Sequence, residues 1–241
     1  MSTRIDGRSN DELRQVKVTR NYISHAEGSA FIEVGKTRVI CTATVEEKVP
    51  PFQRGKSIGW VTAEYDMIPR SAQVRIIRPQ TTGKIKGRTH EIQRLIGRSL
   101  RGVVDFQKLG ERTIWIDCDV IEADGGTRCA SITGGYIALF DCCRYLVEQK
   151  IITEMPVSDF LAAISVGIVN GEIMADLCFA EDSAAEVDMN VVMNSKGNLI
   201  EVQSTAENKA FSREDFNKLL DLSMVSIEKL FLIQKKVLLE Q

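Results

Sequence analysis

Histidine is almost missing from this chain, for only His25 and His90 occur among its 241 residues. A metal centre built on imidazoles, or a proton relay run by histidine, has too few members to assemble. The six cysteines (Cys41, Cys118, Cys129, Cys142, Cys143 and Cys178) contain no CxxC pair and lie mostly inside apolar stretches. They read as buried thiols in a reducing cytoplasm rather than zinc ligands or disulfides. Long apolar runs are lacking too, and none approaches the ~20 residues that span a bilayer. Met1 to Arg20 is polar and has no signal-peptide core, so no membrane partner is expected. Aromatic residues make up 6% of the sequence and none falls between positions 66 and 101, which argues against base-stacking readout there.

What the sequence does have is charge sorted by sign. Between Arg70 and Arg101 stand nine basic residues and one acid, Glu91, in a protein whose formal charge is −2. That block carries +8 and the other 209 residues carry −10. Glu172, Asp176, Glu181, Asp182, Glu186 and Asp188 fall within seventeen residues free of Lys and Arg. Like charges repel unless an opposite charge shares the space. One segment is suited to polyanions and the other to a divalent cation, the charge plan of an enzyme acting on nucleic-acid phosphates. The global pI near 5.9 argues the other way, but the local map overrules the average.

Strands are expected at Val16 to Ile23, Ser29 to Val34, Thr37 to Val45 and Ile58 to Met67, with Gly35-Lys36 turning the second into the third. Arg70 to Gly87 is broken by Pro79, Thr81, Thr82, Gly83 and Gly87 and reads as a basic loop. From about Thr89 the pattern turns helical. Ile92, Leu95, Ile96, Leu100, Val103 and Val104 share one face, and Arg94, Arg98 and Arg101 the other. Thr113 to Glu122 alternates as a half-buried strand, and a helix follows over Thr127 to Glu148. Hairpins are expected around Asn170-Gly171, joining Leu161–Val169 to Ile173–Phe179, and around Lys196-Gly197, joining Val187–Met193 to Leu199–Ser204. Ser212 caps a final amphipathic helix to about Leu239. Two strand-rich units closed by helices suggest a single α+β domain over 1–241, with helices packed on sheet.

Four constellations carry chemistry. Asp124-Gly125-Gly126-Thr127-Arg128 sits at a strand-to-helix turn, where glycines admit an anion and the free N–H groups of the first helical turn face it. Thr127 adds a hydroxyl and Arg128 a forked cation. A tight turn with Thr127 as a helix cap is the alternative, and it needs no ligand. Gly83 to Thr89 repeats the ingredients, placing Arg88 just outside the preceding helix; together the two helix starts can clamp one inorganic phosphate, and a solvated basic loop is the alternative. Asp182 and Asp188 flank a turn and a strand start and can converge on Mg²⁺, which takes one or two carboxylates plus substrate phosphates. Asp176 and Glu186 are weaker candidates, and solvated surface acids are the alternative for all four. Arg70, Arg75 and Arg78, with Lys84 and Lys86, form a rail for a polyanion, whose phosphates such contacts position without reading sequence.

Asp6-Gly7-Arg8, Tyr65 to Arg70, Gly87-Arg88-Thr89 through Arg101, Ile116 to Val120 through Thr127-Arg128, Glu181-Asp182 and Asp188 to Met193 resemble the ribonuclease PH family over nearly the whole chain. The resemblance implies a ribosomal-protein-S5-domain-2-like fold and phosphorolytic trimming of RNA, transfer RNA precursors above all, from the 3′ end. It implies release of nucleoside diphosphates and a homohexameric ring of three dimers. It also implies that Arg88 and Gly126-Thr127-Arg128 bind the attacking phosphate, that Asp182 and Asp188 hold the metal, and that Arg70, Arg75 and Arg78 hold RNA. Cys129 stands where that pattern has Thr, Ala72-Gln73-Val74 replaces a more polar stretch, and Ser204 stands where Gly is usual. Cys129, in the first helical turn, is expected to alter phosphate affinity. A metal-dependent hydrolytic nuclease would use the acids without a second anion pocket. A catalytically silent RNA-binding ring subunit would keep the rail and lose the acids or Arg88.

Overall fold

Alternating apolar residues build two sheets, and helices fill the space between and behind them. The computed structural model describes residues 4–78, 81, 83, 86–207 and 210–239. Pro79, Thr82 and Lys84 of the expected basic loop lie outside the described residues. The first sheet contains β1 (Val16–Arg20), β2 (Gly28–Val34), β3 (Thr37–Glu46), β4 (Trp60–Met67) and β5 (Thr113–Glu122) in the order β1-β2-β3-β5-β4. Among these neighbours only β4 and β5 run parallel, and α1 (Gly87–Arg101) lies in their crossover, as parallel neighbours require. A short helix, α2 (Phe106–Leu109), precedes β5. β1 stops at Arg20, three residues before its expected end, because Asn21 is left-handed at φ 53°.

From β5 the chain turns into α3 (Thr127–Glu148), apolar on nearly every side and correspondingly buried. It packs against β2 and β3 on one side and β6 (Leu161–Val169) on the other. The second sheet follows the order β7-β6-β8-β9, with β7 (Glu172–Ala175), β8 (Val187–Asn194) and β9 (Leu199–Ala206) all antiparallel to their neighbours. Strand period sorts β6 between two cores: Leu161 and Ala163 join the one around α3, while Ala162, Ile164 and Val166 join the other. That second core is closed by α5 (Arg213–Leu239), whose Ser212 hydroxyl accepts the Asp215 N–H at 3.0 Å as a cap. The layers therefore run sheet, α1 and α3, sheet, α5. The six cysteines are buried free thiols. Among the described residues no helix is long and apolar enough to cross a membrane.

One expected strand is corrected. Ile173 to Phe179 is not continuous: β7 ends at Ala175, Asp176 turns left-handed at φ 51°, and Phe179–Ala184 forms a helix, α4. Glu181 and Asp182 consequently project from a helix and not from a loop.

Candidate active site

The turn between β5 and α3 needs two consecutive left-handed residues, Gly125 at φ 78° and Gly126 at φ 65°. A Cβ at Gly125 would also stand 2.7 Å from the Cys178 carbonyl carbon. No side chain caps α3 at Gly126, so its first N–H groups, and the positive end of a 22-residue helix, face the adjoining cavity. Thr37 fixes the turn from β3: its hydroxyl donates to the Gly125 carbonyl at 2.7 Å and accepts the Asp124 N–H at 2.9 Å. Arg14 fixes it from the other side, donating to the Asp124 carbonyl while Asp176 holds the guanidinium at 2.6 and 3.0 Å.

The next two side chains are held as firmly. The Thr127 and Tyr65 hydroxyls are 2.9 Å apart, linking α3 to β4. Arg128 donates to the Gln203 side-chain oxygen at 3.1 Å and lies 3.5 Å from a Glu91 oxygen. Arg88 is the second residue of α1, not outside it as expected, and its exposed side chain lines the same cavity.

Asp182, from α4, and Asp188, from β8, line the same cavity. Burial raises the Asp182 carboxyl above the ordinary range, while Arg88 and Arg128 pull it back. Burial likewise raises Asp188; the neighbouring Asp182 adds to the rise and Arg128 opposes it. Asn190 donates to both Asp188 oxygens at 3.3 Å. The cavity enclosed has a volume of about 460 Å³, and Arg88, Gly126, Thr127, Arg128, Asp182 and Asp188 all line it. Two carboxylates, one of them held by Asn190 and each penalised by burial while ionised, suit a small dication that shares its coordination with substrate phosphates. Among the described residues no group of three or more His, Cys, Asp or Glu forms a larger metal cluster.

Other sequence candidates fall elsewhere. Asp176 is occupied by Arg14 and by Arg8 at 3.5 Å, and Glu186 accepts the Gly171 N–H at 2.9 Å. Arg101 leaves the expected polar face, donating to the Val61 carbonyl at 3.0 Å with its guanidinium 4.6 Å from the Trp60 ring centre. Arg70, Arg75 and Arg78 are exposed on the loop whose residues Ala72, Gln73 and Val74 line the cavity, but do not line it themselves. Cys129 is buried with its thiol 3.3 Å from the Asn190 side-chain oxygen, so it reaches the cavity only through Asn190. Sequence reasoning gave no role to Thr37, Arg14, Tyr65, Gln203, Asn190 or Glu207, and the last two line the cavity. Their signal is a partner far away in the chain, which no local pattern carries.

Two family models match the chain: the 3′ exoribonuclease family, domain 1, over residues 12–144, and domain 2 of the same family over residues 159–226. The ribonuclease PH of Geobacillus sp. (strain WCH70) is 57% identical over 236 residues, covering 98% of this chain and 92% of that protein. That of Bacillus cereus (strain AH820) is 56% identical, covering 98% and 96%. Among solved structures, the Archaeoglobus fulgidus exosome with RNA bound to the active site aligns with a TM-score of 0.78 at 23% identity, over 94% of this chain and 91% of that one. An archaeal exosome core aligns at 0.76 and 23% identity, over 97% and 90%. At these identities the structural likeness speaks for the fold.

Proposed function

The chain belongs to the 3′ exoribonuclease family, and from that premise we propose which residues perform its reaction, with which metal and on which RNA. The activity is that of a phosphorolytic 3′-to-5′ exoribonuclease of the ribonuclease PH type, a nucleotidyltransferase with inorganic phosphate as co-substrate. Arg88, the Gly126 backbone, Thr127 and Arg128 hold the phosphate. A phosphate oxygen attacks the phosphorus of the last phosphodiester, and the bond to the 3′-oxygen of the preceding nucleotide breaks. The proton of the attacking hydrogen phosphate ends on that 3′-oxygen. The products are a nucleoside diphosphate and an RNA one residue shorter.

Bringing two phosphates together costs Coulomb energy, and no side chain need bond to either of them. Arg88 and Arg128 neutralise the attacking anion, and the uncapped amides of α3 orient it in line. Asp182 and Asp188 would hold Mg²⁺, which would supply positive charge to offset the phosphates and the charge developing on the leaving oxygen. The observation that carries this reading is that one cavity is lined both by Arg88, Gly126, Thr127 and Arg128 and by two carboxylates, Asp182 and Asp188. A hydrolytic nuclease needs the second feature only, and a silent subunit needs neither.

Transfer RNA precursors and other RNA 3′ ends are the substrates we propose, held along Arg70, Arg75 and Arg78 in a homohexamer of three dimers in the cytoplasm. We infer too that 1–241 folds as one domain, since α3 serves the core between the two sheets. Incubation of 3′-extended RNA with and without phosphate tests the reaction. Nucleoside diphosphates, formed only with phosphate, are expected; monophosphates formed equally well without it would replace phosphorolysis by hydrolysis.

A further inference from the structure

We propose that Phe179 is the stacking platform for the base of the 3′-terminal nucleotide, an inference that rests on the active-site reading above. Phe179 opens α4 and is 53% exposed, although a phenyl ring gains most from burial. The ring borders the cavity that contains Asp182 and Asp188, and among the described lining residues it is the only aromatic one. Asp182 follows three positions later, so ring and carboxylate share a helix face with Cβ atoms about 5–6 Å apart. A nucleotide whose phosphate sits at the carboxylates therefore has its base within reach of the ring.

The platform is anchored more heavily than a surface turn requires. The Phe179 N–H donates to Asp124 Oδ1 at 3.3 Å, tying the ring's backbone to the phosphate turn. Cys178 N–H donates to Glu181 Oε2 at 3.0 Å, closing a capping box beneath the ring. Glu181 is itself forked onto Arg4, with Nε to Oε1 at 2.8 Å and Nη2 to Oε2 at 2.6 Å. Both side chains are almost fully buried, and burying an ion pair is costly, so a six-residue surface helix would not need one for stability alone. It holds the backbone from which the ring projects, and Arg4 donates as well to the Ala175 and Asp176 carbonyls at 2.8 and 3.0 Å. The rest of the lining is charged and hydrogen-bonding groups together with the aliphatic Met67, Ala72, Val74 and Ala123. A phenyl face suits a trimming enzyme because every base presents a π-surface, so contact is kept as the terminal base changes at each step.

The test compares RNA oligonucleotides that end in each of the four bases with one whose 3′-terminal residue is abasic. Wild type, Phe179→Ala, Phe179→Leu and Phe179→Tyr are assayed for phosphorolysis of each. Phe179→Ala and Phe179→Leu should lower kcat/KM on natural ends by about tenfold, lower it less than twofold on the abasic end, and leave the KM for phosphate unchanged. Phe179→Tyr keeps a stacking ring and should restore most of the rate on natural ends, while activity on the abasic end shows that Phe179→Ala and Phe179→Leu are folded. Equal losses on natural and abasic ends, or full activity in Phe179→Leu, would overturn the stacking role. Release of monophosphates by the wild type, with base-dependent losses intact, would overturn the phosphorolytic reading and leave the platform standing.

Discussion

The phosphate turn and the arginine loop border the same cavity, and both face negative charge, yet they are constructed in opposite ways. Thr37, Arg14 and Asp176 brace Gly125 and its neighbours from three separate parts of the chain, while Tyr65 ties Thr127 and Gln203 ties Arg128. Arg70 of the loop donates locally, to the Gln73 carbonyl at 3.1 Å, and Arg75 and Arg78 are exposed. A small anion that must attack in line needs donors fixed before it arrives, because reorganisation during the reaction would raise the barrier. A polymer backbone needs charge density more than fixed geometry, since each phosphate contact positions without reading sequence. On the proposed reading braced and solvated charges divide the work, and substitutions in the two regions should fail differently.

The largest effect is expected at the two cavity carboxylates. Asp182→Asn and Asp188→Asn should lower kcat by about two to three orders of magnitude while RNA binding persists, because an amide keeps the shape but not the charge a hard cation needs. Stability should move the other way. Both carboxyls are raised by burial, so ionising them in the folded state is unfavourable. Such a group stabilises the fold below its unfolded value of 3.8, and that contribution is lost as pH rises through the higher folded value. Asp188→Asn should therefore melt at a higher temperature than wild type at pH 7, with the gap closing at acid pH. Thermal melts across pH, paired with activity assays, check both halves; near-normal turnover in both variants would make these acids ordinary surface groups.

Next come graded losses in the phosphate turn. Arg88→Ala or Arg128→Ala removes a charge-assisted interaction of about 1.5–3 kcal/mol, or roughly ten- to a hundredfold in kcat/KM for phosphate. Thr37→Val, nearly isosteric, deletes the two hydrogen bonds that brace Asp124 and Gly125 and should cost about 1–2 kcal/mol, roughly five- to thirtyfold. RNA affinity in phosphate-free buffer should change little in all three. Phosphate saturation curves with parallel RNA binding decide it, and equal damage to RNA binding would place these groups in the wrong subsite.

The parts of the fold that are legible in sequence are those with local cause. Thr113–Glu122, Thr127–Glu148 and Leu161–Val169 occupy their expected bounds because alternation, helical period and turn glycines all act within a few residues. Asp182 and Asp188 are legible from charge, as is the pair of helix starts that carry Arg88 and Arg128. Helix α4 is not, since six residues hold no period and its start is fixed by Arg4, 177 positions from Glu181. Arg101 looks solvated for the same reason: the Trp60 ring beneath it belongs to another strand. Arg14 and Thr37 read as ordinary strand-region residues until the turn they hold is brought beside them.

The smallest change per residue is expected in the loop, and it sharpens the contrast between the two regions. Each of Arg75 and Arg78 is an exposed cation, screened over about 10 Å at moderate salt, so a single substitution should hardly register on a short oligonucleotide. A ring of subunits would place several such loops around one RNA and multiply their joint potential. Arg75→Ala combined with Arg78→Ala should then weaken a structured transfer RNA precursor several-fold more than a short single strand. Its salt dependence should flatten as well, because fewer counterions are released, with the slope falling by about one unit for each phosphate no longer neutralised. The KM for phosphate should stay at its wild-type value, since neither side chain lines the cavity. Binding titrations over a salt series, with the particle mass from light scattering, read all three quantities. A monomer, or equal losses for long and short RNA, would dissolve the multiplicity argument and leave the loop as a solvated basic segment.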